Sequence, residues 1–223
     1  MNRIFDFNLD KSYEYENGFY LTSKVERLAK LISHYELYKS IIDLPGNIVE
    51  CGVFKGASLI RFSSFREMLE NYYSRKIIGF DIFGEFPRPN KASENDIEFI
   101  EKFENNAGNG ISVEELDKIL KHKNFRNYEL VKGDIIKTIP EYLIKNPELK
   151  ISLLHIDVDV YQPTKFVLEN LFDKVVKNGL IVLDDYGKVA GATKAVDEFL
   201  DKKEVNKVIK KHSISHVPAY IRK

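Results

Sequence analysis

Two short apolar runs that end in paired acids constrain this chain more than any other feature. Residues 151–161 read ISLLHIDVDVY and residues 179–187 read GLIVLDDYG. Between them, QPTKFVLENLFDKVVKN carries apolar residues at helical spacing. A strand, a crossover helix and a second parallel strand bring Asp157, Asp159, Asp184 and Asp185 to one edge of a sheet. In open α/β sheets, ligands bind outside the carboxyl ends of the strands. Four carboxylates gathered there repel one another, and burying any of them unpaired is costly. Either a divalent cation or pairing with lysines relieves that cost. Oxygen donors without a thiolate cluster favour a hard ion such as Mg²⁺ in the first case.

Asp157 and Asp159, two apart in an extended run, are expected to face one side of the sheet, with Val158 and Val160 on the other. Asp184 and Asp185 cannot both face inward from a straight strand, so the chain is expected to turn there. His155 shares the face of Asp157 but lies deeper, as a core or supporting residue rather than a catalytic one. His34, His122, His212 and His216 show no ligand spacing.

The remaining chain alternates in the same way. Strands are expected at 48–51, 76–81 and 128–132, and helices from about 57 to 73, at 93–106, 112–123, 138–145 and 190–202. Pro140 fits only the first turn of its helix. The loop 82–93 carries Gly84, Pro87 and Pro89 and is irregular. Residues 205–210 and 215–222 alternate apolar and polar, as antiparallel edge strands do. An α/β fold follows, with a mostly parallel sheet and an antiparallel edge. Upstream, residues 1–20 are a polar and aromatic arm, either packed on the domain or a second subunit, or closing over a ligand. Thr22 or Ser23 caps a helix whose apolar positions run from Val25 to Tyr38, ending at 44–47. The organisation expected is an arm and helix over 1–44 and one α/β domain over 45–223.

Lys plus Arg equals Asp plus Glu, 34 each, which argues against a dedicated nucleic-acid binder. A single cysteine excludes an intrachain disulfide and a cysteine-rich zinc site. No stretch has the apolar length of a signal peptide or a membrane span, so a cytoplasmic protein is expected.

Glu50-Cys-Gly52-x-x-x-Gly56-x-Ser58 is a glycine turn between strand and helix, where backbone approaches a ligand closely and free N–H groups face it. It lacks the phosphate-loop spacing, and Phe54 replaces the second glycine of the dinucleotide fingerprint. Glu50 either holds a cationic ligand or anchors loop N–H groups. Asp81, closing the second strand, suits a ribose diol or caps its loop. Gly133-Asp134 closes the third strand, beside an adenine edge or as the N-cap of the next helix.

Together, ECGVFKGAS, GFDIFGEFP, HIDVDVYQPTKFVLE and GLIVLDDYGKVAGATKAVDEF resemble the macrocin and mycinamicin sugar O-methyltransferases, in order and spacing from about residue 45 to 200. The resemblance implies a Rossmann-like class I methyltransferase fold: a mostly parallel seven-stranded sheet, an antiparallel C-terminal hairpin and helices on both faces. It implies S-adenosylmethionine as methyl donor, Mg²⁺, a sugar or glycoside acceptor and a homo-oligomer. Carried onto this chain, Glu50, Gly52, Gly56, Ser58, Asp81, Gly133, Asp134 and Asp157 surround the cofactor. Asp157, Asp184 and Asp185 hold the metal, and Asp159, with Asp157, is catalytic as the base beside the hydroxyl. Competing expectations are a catechol-type O-methyltransferase, a non-catalytic module that binds the same cofactor, and a nicotinamide oxidoreductase, which Phe54 disfavours.

Overall fold

The computed structural model describes residues 3–4, 7–86, 94–203 and 208–223. Strands β1 (Arg3–Ile4) and β2 (Phe7–Asn8) form a small hairpin ahead of helices α1 (Ser12–Thr22) and α2 (Val25–Lys39). There follow β3 (Asn47–Cys51), α3 (Ala57–Leu69), β4 (Ile77–Asp81), α4 (Glu94–Ala107), α5 (Val113–His122) and β5 (Tyr128–Lys132). The last third comprises α6 (Ile135–Lys145), β6 (Ile151–Ile156), α7 (Tyr161–Leu171), β7 (Val175–Leu183), α8 (Ala190–Lys202), β8 (Lys210–Lys211) and β9 (Ala219–Arg222).

The main sheet has seven strands in the order β5-β4-β3-β6-β7-β9-β8, with β3 to β7 parallel and β9 antiparallel to both neighbours. The chain builds outward from β3 to β5, then crosses to β6 on the other side of β3. That reversal opens a crevice at the carboxyl ends of β3 and β6.

Period-2 alternation sorts the strand side chains onto two apolar layers. Val49, Cys51, Leu154, Ile156 and Ile181 pack with Ile139 and Tyr142 of α6, Val167 and Leu168 of α7, and Val196 and Phe199 of α8. Ile48, Ile77, Leu153, Leu180 and Val182 pack with Leu37 and Tyr38 of α2, Phe62 and Phe65 of α3, and Leu116 and Leu120 of α5. Glu50, His155 and Asp184 share the parity of this second set, so the buried polar groups lie on the face covered by α2 and α3. Arg75 pins the loop before β3 to the sheet: its guanidinium reaches Glu70 at 2.7 Å, Ser152 Oγ at 2.6 Å and the Ile42 carbonyl at 3.0 Å.

Several sequence expectations shift. Residues 12–22 of the arm are helical, with Tyr13, Tyr20 and Leu21 exposed. The following helix starts at Val25 without a side-chain cap, while Thr22 Oγ1 donates to the Gly18 carbonyl instead. Helix α6 begins at Ile135 rather than 138, because Asp134 caps it by accepting from Ile136 N at 3.0 Å. Pro140 therefore lies inside the helix, where a missing N–H normally costs a bond to the fourth preceding carbonyl. Burial of Ile139 and Tyr142 offsets that loss. The edge strands are shorter than expected, at 210–211 and 219–222; residues 205–207 of the expected strand and 87–93 of the expected loop lie outside the described set.

Candidate active site

The glycine turn is fixed by a close crossing of two strand ends. Gly52 N donates to the Phe80 carbonyl and Asp157 N to the Cys51 carbonyl, both at 2.9 Å. Gly52 has φ +87°, and a Cβ there would stand 1.7 Å from the Asp157 carbonyl oxygen. Only glycine permits that approach. Asp81 closes the turn: Oδ2 accepts from Val53 N at 2.7 Å and Phe54 N at 3.0 Å, and Oδ1 from Phe83 N at 2.6 Å. The loop-capping reading of Asp81 is thus realised, on a residue that also lines the cavity described below.

Among the described residues, Glu50 anchors no loop N–H group. Its Oε1 accepts from Ser58 Oγ and faces His155 Nδ1 at 3.0 Å, and all three side chains are buried. Its Oε2 has no partner among the described residues. His155 continues the chain of contacts, with Nε2 3.5 Å from Asp184 Oδ1. Burial opposes a charge on His155, but its contacts with Asp184 and Glu50 outweigh it and raise the imidazole to about 10. His34, which stacks on Phe62, is lowered to about 4, chiefly by burial. One imidazolium therefore sits between two carboxylates, with a neutral imidazole beside it.

The acids converge as the sequence predicts, by a different local route. Strand β6 stops at Ile156, and Asp159 adopts a left-handed φ of +61° in the loop beyond. A side-by-side placement on an extended strand is therefore not what gathers Asp157 and Asp159. The loop is held instead by Asp159 N donating to Asp185 Oδ2 at 3.0 Å. The chain bends after Leu183, as expected. Oxygens of Asp157, Asp184 and Asp185 then lie within 4.8 Å of one another.

Lys30, which sequence reasoning missed, reaches this cluster from α2, with Nζ 2.6 Å from Asp184 Oδ2. Nothing local in VERLAKLISHY separates it from a solvated lysine; only the helix position reveals it. Burial works against the Asp184 charge, yet His155, His34 and Lys30 hold this carboxyl well below the usual range. Asp157 and Asp185 are held well above it by burial and by neighbouring carboxylates. Asp159 is pushed up to about 8 by burial and then by Asp157 and Asp184. Lys30 and the His155 imidazolium thus both serve Asp184 and leave Asp157, Asp159 and Asp185 short of positive charge. Three convergent oxygen donors with that deficit fit a hard divalent cation.

Beside the cluster is a cavity of about 230 Å³ at the strand ends. Of the residues singled out in the sequence, Gly52, Asp81, Gly133, Asp134, Asp157 and Asp159 line it, whereas Glu50, Gly56, Ser58, Asp184 and Asp185 do not. Gly56 has φ +80° at the N-cap of α3, and a Cβ there would press on Leu116. Phe54, Phe86 and Phe103 give the cavity an aromatic wall, with Phe54 and Phe103 centroids 5.0 Å apart. Phe103 on α4 was invisible as a site residue because its helix carries no motif. Asp157 belongs to both the cavity wall and the acid cluster, so the two adjoin.

A family model described as macrocin-O-methyltransferase matches residues 23–223. The demethyldecarbamoylnovobiocin O-methyltransferase of Streptomyces niveus is 26% identical over 167 residues, which are 73% of this chain and 61% of that protein. An 8-demethyl-8-(2,3-dimethoxy-alpha-L-rhamnosyl)-tetracenomycin-C 4'-O-methyltransferase of Streptomyces olivaceus is 26% identical over 149 residues, 64% of this chain and 54% of that one. The chain thus spans less than two thirds of either relative. Among solved structures, CalS11, described as a TDP-rhamnose 3'-O-methyltransferase of calicheamicin biosynthesis, is 27% identical, with a TM-score of 0.67 over 95% of this chain and 86% of that one. The O-methyltransferase NovP shares the fold, with a TM-score of 0.75 at 22% identity over 87% and 79% of the two chains.

Proposed function

Because the chain belongs to the macrocin-O-methyltransferase family, we propose that it transfers a methyl group from S-adenosylmethionine to a sugar hydroxyl with the help of Mg²⁺. The observation that carries this reading is Asp157, shared by the cavity and the acid cluster. On this reading the donor site and the cation site adjoin at Asp157. Relatives named for methylating novobiocin, rhamnosyl and TDP-rhamnose compounds support the sugar acceptor.

When bound, the sulfonium donor supplies an electrophilic methyl, and a divalent cation stabilises negative charge developing on the acceptor oxygen. The chain's own residues do the rest. The Gly52 turn lets backbone approach the methionine end, and Asp81 and Asp134 stand where the ribose and adenine would lie. Phe54, Phe86 and Phe103 wall off water, which would otherwise compete with the acceptor. Asp157, Asp184 and Asp185 would hold the cation. Asp159 takes the hydroxyl proton, and burial with the neighbouring Asp157 and Asp184 charges raises its carboxyl's affinity for that proton. The Ser58–Glu50–His155–Asp184 contacts fix the glycine turn relative to the acids.

Full-length protein with S-adenosylmethionine and a panel of free deoxysugars, nucleotide sugars, glycosides and catechols tests this. The expected result is methylation of a sugar hydroxyl that EDTA lowers by roughly a hundredfold or more and Mg²⁺ restores. Full activity in EDTA removes the cation from the reading, and methylation confined to catechols replaces the sugar with an aromatic diol.

A further inference from the structure

We propose that His34, His155 and Asp184 form a second metal site, rich in nitrogen donors and suited to Zn²⁺, next to the acid cluster. The site stands whether or not the chain transfers methyl groups.

Three elements deliver the ligands: His34 from α2, His155 from β6 and Asp184 from the bend after β7. One donor atom from each lies within 4.8 Å of the other two. His155 Nε2 is 3.5 Å and His34 Nε2 3.9 Å from the same oxygen, Asp184 Oδ1. None of these three atoms makes a hydrogen bond with a described residue, and both histidines are fully buried. Buried polar atoms are normally satisfied, so three that converge without partners call for a reason.

Their spacing supplies one. A hydrogen bond would bring the atoms to about 2.7–3.2 Å. Donors held tetrahedrally by one zinc at about 2.0–2.1 Å stand roughly 3.4 Å apart. Neighbouring donors on an octahedral Mg²⁺ are closer, at roughly 3.0 Å. Contacts of 3.5 and 3.9 Å are too long for the hydrogen bond and nearest to the zinc geometry.

The surroundings aim the donors. Glu50 Oε1 is 3.0 Å from His155 Nδ1, and a carboxylate only accepts, so Nδ1 carries a proton and Nε2 is turned to Asp184. A carboxylate behind the ring is the usual support of an imidazole ligand. Lys30 holds Asp184 by the other oxygen, Oδ2, at 2.6 Å, which leaves Oδ1 to the histidines. Phe62 stacks on His34 with centroids 5.2 Å apart and planes at 20°, which fixes that ring.

Donor type separates the two sites. Two imidazoles and a carboxylate suit zinc, whereas Asp157, Asp184 and Asp185 offer oxygen alone and suit Mg²⁺. Asp184 belongs to both sets, and its carboxylate bridges the two ions when both are bound. Zinc displaces the proton from His155 Nε2, replacing one positive charge with two beside acids that lack it.

Crystals of the full chain grown with S-adenosylhomocysteine, excess Mg²⁺ and equimolar Zn²⁺ test the site, with data collected on both sides of the zinc edge. The expected result is a zinc peak about 2.0–2.2 Å from His34 Nε2, His155 Nε2 and an Asp184 oxygen. In solution, competition with a chromophoric chelator in the same Mg²⁺ excess should show one Zn²⁺ per chain. Its affinity should fall roughly a hundredfold or more in His34→Gln and in His155→Gln. Asp185→Asn, which alters only the oxygen site, should bind zinc nearly as tightly as the wild type. S-adenosylhomocysteine affinity, measured in parallel, confirms folding; if a histidine variant does not fold, the wild-type crystals decide alone. A chain that takes up no zinc overturns the proposal, as does zinc held only by Asp157, Asp184 and Asp185.

Discussion

Asp159→Asn is expected to lower kcat by about 10²- to 10⁴-fold, the range for loss of a general base. The affinity for S-adenosylhomocysteine should change little. The substitution is clean for a structural reason. Asp159 holds a left-handed φ of +61°, and asparagine tolerates that region better than most residues. The bond that fixes the loop is made by the Asp159 backbone N–H to Asp185 Oδ2, which the side-chain change leaves alone. The variant therefore keeps its loop and loses the side-chain proton acceptor, whose proton affinity burial and the Asp157 and Asp184 charges raise. Single-turnover rates with and without the substitution read the effect. A variant as fast as wild type would move the base elsewhere, and one that loses donor affinity equally would make Asp159 a binding residue.

Gly52→Ala is expected to be the most damaging single change to the fold, by about 3 kcal/mol or more. An added Cβ meets the Asp157 carbonyl oxygen at 1.7 Å and its carbon at 2.6 Å, in a backbone conformation with φ +87°. Neither neighbour is a flexible side-chain tip. The end of β6 has to move, and Asp157 and Asp159 move with it, so activity falls together with stability. Gly18→Ala is the matched control. Gly18 lies within α1 with nothing inside 4 Å of an added Cβ, so alanine should stabilise by about 0.5–1 kcal/mol. Urea denaturation midpoints of the two variants should shift in opposite directions. Equal shifts would show that the crossing of β3 and β6 is looser than the structure has it.

The sheet was legible in the sequence because its strands are short apolar runs closed by acids or glycine, which periodicity detects. Tyr128–Lys132 and Ala190–Lys202 match the expected bounds. Boundaries set by capping rather than periodicity were not legible. Asp134 starts α6 three residues early, and a proline that favours the first turn is carried inside the helix. In the site, residues attached to strand ends were legible and those delivered by helices were not. Asp157, Asp184 and Asp185 follow from where parallel strands end. Lys30 acquires its role only because α2 lies across the sheet and drives Nζ to 2.6 Å from Asp184. Phe103 joins the cavity wall in the same way, from α4. The buried run Ser58–Glu50–His155–Asp184 joins three strands and a helix, so no spacing within a single segment encodes it.

The proposed cation site is tested most directly by growing crystals with S-adenosylhomocysteine and Mn²⁺ and collecting data at the manganese absorption edge. The account predicts one anomalous peak per chain, within about 2.0–2.4 Å of carboxylate oxygens from Asp157, Asp184 and Asp185. No peak there, or a peak bound instead by His34 and His155, would contradict it.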